Sequence, residues 1–420
     1  MKKKDAQKGI EKLWDVVVIG GGPAGMMAAG RSAQLGKSVL LLEKNENLGK
    51  KLLITGGGRC NVTNNKKDVR AMLAQYQDSG KFLFSAFSQF AVKESFHFFE
   101  SHNVPLKEEN DGRMFPQTEK AKTIWDACLE YMKKGKVEVA TRSGVAGITK
   151  NDEHFVITLT NGKEITARAC IVATGGLSHP ETGSTGEGFV WLKKLGHTIV
   201  KNNFALVPIE LSDSWAKKLG GVTLQNIQLT LFVNGKKESV HKGKLLFTHF
   251  GISGPTVLNM SSEVGELLQH STVTINLDLF PKKDSALVRA LVQELLTKES
   301  NKKIKNTLSA CMPKAAVEPF LKLINIDTET PNHSIRTEER TRIVSALKAI
   351  PLNVKGLLGA DKAVISAGGV LLEEIHFKTM ESRIVPKLFV IGDVLNINRP
   401  SGGYSLQLCW TTGYVAGSHA

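Results

Sequence analysis

A chain of 420 residues, 41% hydrophobic and 23% charged, has room for two domains and the composition of an ordinary globular protein. Its net charge of +15 suits an anionic ligand, a membrane surface or nucleic acid, but the excess is dispersed. The dense clusters, Lys2 to Lys4, Lys133 to Lys136, and Lys302, Lys303 and Lys305, are short and read as solvated faces.

The start, MKKK, mimics a secretory signal, yet the next apolar stretch carries a glycine fingerprint, and no uninterrupted apolar run of membrane-spanning length follows. The five cysteines, Cys60, Cys128, Cys170, Cys311 and Cys409, are scattered and form no C-x-x-C. That argues against a disulfide framework or a metal site and points to a reducing cytoplasm.

The first element pair is the most informative. An apolar run, Val16 to Ile19, meets GGGPAG, which sets Gly20, Gly22 and Gly25 in G-x-G-x-x-G order. An apolar helical face (Met26, Met27, Ala29, Ala33) follows, then a second run, Val39 to Leu42, closing on Glu43. Strand, tight turn, helix, strand and acid make a dinucleotide fingerprint. Gly20 permits the turn, Gly22 admits a pyrophosphate, Gly25 lets helix and strand pack, and Glu43 stands where an acid accepts from an adenosine ribose.

Residues 44 to 64 hold Gly56, Gly57 and Gly58 among Lys50, Lys51, Arg59, Asn61 and Asn64, a loop suited to close approach by an anion or a flat ring. Helical periodicity follows at 81–102 and 118–134. Short strands are expected at 137–139, 155–159 and 165–166, the last two joined across Asn161 and Gly162. The strand Cys170 to Val172 ends in Ala173-Thr174-Gly175-Gly176, small enough to pass beneath a dinucleotide.

From about residue 197 the texture becomes β-rich, with a run at 222–233 ending at Asn234-Gly235 and strict alternation over 272–279. Helical stretches at 285–297, 314–325 and 336–348 complete an expected insertion over 197–360. α/β punctuation returns with 363–365, Gly368-Gly369, and a strand from Lys387 ending in Gly392-Asp393. The last segment opens with Gly402-Gly403 and continues as a helix whose N-terminus is suited to an anion.

This three-part pattern resembles flavoproteins with a glutathione-reductase type FAD domain. More closely, GGGRCNVTN (56–64), GGLSHPETGSTGEGF (175–189), FTHFGISGPTVL (247–258) and GGYSLQ (402–407) resemble the BaiN/YhiN-like flavoproteins, also called the aminoacetone oxidase family or NAD(FAD)-utilising dehydrogenases. The resemblance implies an α/β fold: a Rossmann-like FAD-binding domain (1–196 and 361–420) split by an insert (197–360) with β-barrel and helical parts that serves as substrate or cap domain. It places FAD against Gly20, Gly22, Pro23, Ala24, Gly25, Glu43, Lys44, Lys51, Gly57, Gly58, Arg59, Cys60, Asn61, Thr174, Gly175, Gly392, Asp393, Gly402, Gly403 and Tyr404. One departure is GDVLNINRPSGGYSLQ where the family usually reads close to GEVLDIDGYTGGYNLQ, which bears on the loop near the flavin.

No second fingerprint and no redox cysteine pair are present, so NAD(P)H, if used, docks transiently. The expected activity is an FAD-dependent oxidoreductase moving a hydride between flavin and a small, anionic organic substrate held between the FAD domain and the insert. Arg59 is the candidate for gripping the anion, and His249 or Tyr404 for moving a proton. His179 ranks below both. Two alternatives stay open: a flavin-dependent RNA-modifying enzyme, which the charge suits although no RNA-binding motif is visible, and a non-catalytic FAD-binding sensor.

Overall fold

The computed structural model describes residues 12–66, 68–201, 206–359 and 368–420; the strand expected at 363–365 lies outside them. The chain divides into two compact units, Met1–Asn203 with Ile365–Ala420, and Phe204–Val364.

The first unit is built on a seven-stranded sheet. Strand β1 (Leu13–Ile19) lies at its centre, parallel to β2 (Val39–Leu42) on one side and to Glu164–Val172 on the other. Val16, Val17 and Val18 are wholly buried because both sheet faces are covered, which is why the strand reads as a continuous apolar run. Two expected pieces, 165–166 and 170–172, prove to be one nine-residue strand. Its first half pairs antiparallel with Phe155–Leu159 and its second half parallel with Leu388–Val390. The strands β1, β2, Glu164–Val172 and Leu388–Val390 run parallel, so Gly20, Glu43, Thr174 and Asp393 gather at one sheet edge, where such folds bind ligands.

Helix α1 (Pro23–Gln34) packs against the C-terminal helix Tyr404–His419. Small residues allow the contact: a Cβ on Gly413 would stand 2.5 Å from the Ala24 carbonyl oxygen, and one on Gly417 would stand 2.5 Å from that of Ala28. The periodic run at 81–102 is two helices, Gly80–Gln89 and Val92–Ser101. Phe90 adopts extended backbone between them, and the Glu94 carboxylate accepts the Ala91 N–H at 2.9 Å to start the second.

The second unit contains a closed antiparallel barrel in the order Ile209–Leu211, Gly251–Ser253, Lys236–Thr248, Thr223–Val233, Val273–Asp278, Ile350–Leu357. Helices Ser285–Lys298, Lys314–Leu323 and Thr337–Lys348 share its core through Val292, Phe320 and Leu347. The stretch FTHFGISGPTVL ends one strand, forms another, and starts helix Pro255–Leu268. Gly254 turns the chain at φ +97° and Pro255 occupies the first helical turn, where its missing N–H costs nothing.

Candidate functional site

The site begins at the N-terminus of α1. Gly22 caps the helix in extended backbone, no side chain occupies the cap, and the first turn carries no acidic residue. A Cβ on Gly22 would meet no protein atom within 4 Å. A helix start bordered by open space and free of acidic side chains is what a diphosphate requires. Gly25 has the opposite reason to be glycine: a Cβ there would stand 1.9 Å from the Gly20 carbonyl oxygen.

Glu43 is buried, and its carboxylate is held from two sides. Oε2 accepts the Gly21 N–H at 2.8 Å, while Oε1 accepts the Asn45 N–H and side-chain amide, each at 2.8 Å. A carboxylate offers about four lone-pair positions, so one is left for a ribose hydroxyl. Lys44 turns to Glu187 at 2.6 Å and to Thr185, a half-exposed surface pairing.

Gly56, Gly57 and Gly58 follow one another at φ +62°, +69° and +85°, a left-handed run that side chains resist. No protein atom lies within 4 Å of a Cβ on Gly57. Cys60 is fully buried and burial pushes its thiol far up, so it is not a thiolate nucleophile. The expectation for Arg59 needs correction. Its guanidinium is paired with Glu109, lies 3.3 Å from Glu119 and stacks 4.4 Å over the Phe115 ring. Two carboxylates already compensate it, so it does not stand free for a substrate anion.

The chain then runs into Thr63–Asn64, which meets the start of the C-terminal helix. Asn64 donates from Nδ2 to the Gly402 carbonyl at 3.0 Å, and Tyr76 donates its hydroxyl to the Tyr404 carbonyl at 2.8 Å. Tyr404 itself is 5% exposed, and burial pushes its phenol up to about 12. Asn61 Oδ1, Asn64 Oδ1 and Thr174 Oγ1 are buried with no hydrogen-bond partner among the described residues. Such orphans are rare in finished cores and fit a site completed by a polar cofactor. Gly175 turns at φ +74° beside Ser184.

At the end of Leu388–Val390, Gly392 turns at φ +65° and Asp393 is gripped by Arg399. The Arg399 side chain is fully buried, and donates also to the Ile397 carbonyl at 2.7 Å and Ser405 Oγ at 3.0 Å. Lys51 faces the same pair and donates to Ser178 at 3.1 Å; burial lowers its pKa, partly opposed by Asp393. Sequence reading named Asp393 as a cofactor residue and met Arg399 only as one of the departures in the loop that follows it. His249 belongs to the second unit, exposed, with its ring edge-on to Phe250 at 4.8 Å. Among the described residues no group of three or more His, Cys, Asp or Glu could hold a metal ion, and no helix is long and apolar enough to cross a membrane.

These residues fit FAD: the open start of α1 at Gly22 would take a diphosphate, and the spare acceptor position on Glu43 a ribose hydroxyl. The family described as HI0933-like protein Rossmann domain matches residues 14–419. A ribosomal RNA dihydrouridine synthase from Escherichia coli is 30% identical over 405 residues, 96% of both chains. A 3-dehydro-bile acid delta(4,6)-reductase from Clostridium scindens is 28% identical, over 96% of this chain and 98% of that one. In three dimensions a 3-ketosteroid-delta4-(5alpha)-dehydrogenase from Rhodococcus jostii superposes with a TM-score of 0.54 at 15% identity, over 98% of both chains, a likeness of fold alone. The chain belongs to the HI0933-like Rossmann family and is an FAD-binding oxidoreductase.

Proposed function

We propose that the protein reduces a carbon–carbon double bond conjugated to a carbonyl. One observation carries this reading: two relatives named for unlike substrates share that reaction. A dihydrouridine synthase saturates a uracil ring whose double bond adjoins a carbonyl, and a delta(4,6)-reductase of a 3-dehydro bile acid saturates bonds conjugated to a ketone.

FAD bound at this site would bring hydride chemistry to the β-carbon. The α-carbon then needs a proton, and Tyr404 is suited to give it: its phenol stays neutral up to about 12 and opens the helix whose start adjoins Asn64. The positive end of that helix favours negative charge developing in front of it. With the fingerprint used once and Cys60 buried, NAD(P)H is the simplest electron source, docking transiently.

A small enone is the leading substrate class. Uridine in ribosomal RNA is a second reading, favoured by the net charge of +15 and the name of the 30%-identical relative.

The test is anaerobic. Holoprotein reduced with NADPH or dithionite is mixed with a 3-oxo-4-ene steroid, its saturated ketone, and a ribosomal RNA transcript, and flavin reoxidation is followed. Reoxidation by the enone alone supports the first reading; reoxidation by RNA with dihydrouridine formed supports the second. If neither reoxidises the flavin, the double-bond reading is wrong.

A further inference from the structure

Thr63 and Gln407, 344 residues apart, meet in the first unit through a hydrogen bond from Thr63 Oγ1 to Gln407 Oε1 at 2.6 Å. Gly403 sits directly on Thr63: a Cβ there would stand 2.4 Å from both the carbonyl carbon and the oxygen. Gln407 lies one turn along the same helix, its backbone N–H donating to the Gly403 carbonyl at 3.1 Å. Thr63 is thus held between the helix start and a side chain that starts one turn later.

The amide has one workable orientation. Oε1 accepts from Thr63, and the single Ser95 hydroxyl proton lies between Oε1 at 3.0 Å and the Ala91 carbonyl at 3.2 Å. Thr411 Oγ1 donates its proton to the Phe90 carbonyl at 2.8 Å, so toward Gln407 it can only accept, and it takes a hydrogen bond from Nε2 at 3.1 Å. Thr63, Ser95, Gln407 and Thr411 all have 0% exposure. A buried, hydrogen-bonded polar network fixes one arrangement of its parts where apolar packing would tolerate several.

We propose that Gln407 is a positioning residue for the flavin. By latching Thr63 to the C-terminal helix it sets Gly402 and Gly403 against Thr63–Asn64. That contact governs how strongly the helix's positive end favours the reduced, anionic ring over the oxidised one. Gln407 acts only through these neighbours.

The test uses the FAD-loaded full chain and its reduction potential, measured by equilibration with a redox dye, alongside the visible flavin spectrum and a separate thermal unfolding curve. Gln407→Met and Thr63→Val are each expected to shift relative affinity about tenfold toward oxidised FAD, which for a two-electron couple lowers the potential by about 30 mV. The double variant should shift no further than either alone, since both cut one link. Ser95→Ala, which loses the arm that does not reach the helix start, should lower Tm and leave the potential unchanged. If Gln407→Met fails to fold, Thr63→Val, which keeps side-chain shape, carries the test. Lowered Tm in all three variants with wild-type potential and spectrum, or additive shifts in the double variant, would overturn the proposal.

Discussion

The N-terminal fingerprint and the junction of Thr63–Asn64 with the C-terminal helix both hinge on a glycine pressed against backbone, but over very different spans of chain. Gly25 is pressed against Gly20, five residues away, so the requirement is written into a local motif. Gly403 is pressed against Thr63, and no local pattern announces it. The first contact builds a scaffold that any βαβ unit of this type needs. The second joins a short strand to the start of the C-terminal helix.

The largest effects should separate these roles. Gly25→Val puts side chain into backbone inside the first folding unit and should cost more than about 4 kcal/mol, leaving no folded protein by calorimetry. Gly403→Ala should leave a folded chain with an altered flavin spectrum; if it too abolishes folding, the junction is scaffold and the contrast fails. Arg399→Met comes next. It takes from the largely buried Asp393 carboxylate its hydrogen-bonded partner and leaves only Lys51 facing it, a loss of about 3–5 kcal/mol in denaturant titration, and adding Asp393→Asn should restore most of it.

Smaller effects should appear in cofactor binding. Glu43→Ala should weaken FAD retention by roughly 1–3 kcal/mol in equilibrium dialysis, since Gly21 and Asn45 lose their acceptor as well as any ribose. Gly57→Ala should cost only about 1–2 kcal/mol, the strain of a left-handed residue, because no protein atom blocks the added methyl. A marked loss of FAD in that variant would show that the open space at Gly57 belongs to the cofactor.

Lys51 offers a pH signature, given as a direction. Burial lowers its folded pKa below the ordinary 10.5, so in FAD-free protein the charged form costs stability at neutral pH. Between the lowered pKa and 10.5 the unfolded chain binds more protons, and stability rises with pH. Lys51→Met should therefore raise the Tm of FAD-free protein at neutral pH, with the gap narrowing as pH climbs toward 10.5, while weakening FAD binding. The groups facing Lys51 are Asp393, Cys409, Arg399 and Glu181. An unchanged gap across that range would remove Lys51 as its source.

Much of the first unit was legible because its signals are short-range. Hairpin Asn161-Gly162, helix Ala121–Lys134 and the strand before Gly392 follow from periodicity and turn chemistry within a dozen residues. Helix Pro255–Leu268 was missed because the glycine, serine and proline at its start are turn residues, although the strand it packs on most, Lys236–Thr248, lies just before it in the chain. Arg59 looked like a free cation because Glu109 and Glu119 lie fifty and sixty residues further on.

By itself, then, the sequence determined the dinucleotide fingerprint and the small-residue turns at the sheet edge, because glycine geometry, strand alternation and helix caps act between near neighbours, while the FAD-type architecture came from the family resemblance. Only the tertiary structure decided which polar groups are already satisfied. It paired Arg399 with Asp393, closed Arg59 between two carboxylates, and tied Gln407 to Thr63. The physical reason is that a hydrogen bond or an ion pair depends on distance in space, and the chain fixes that distance only once it has folded.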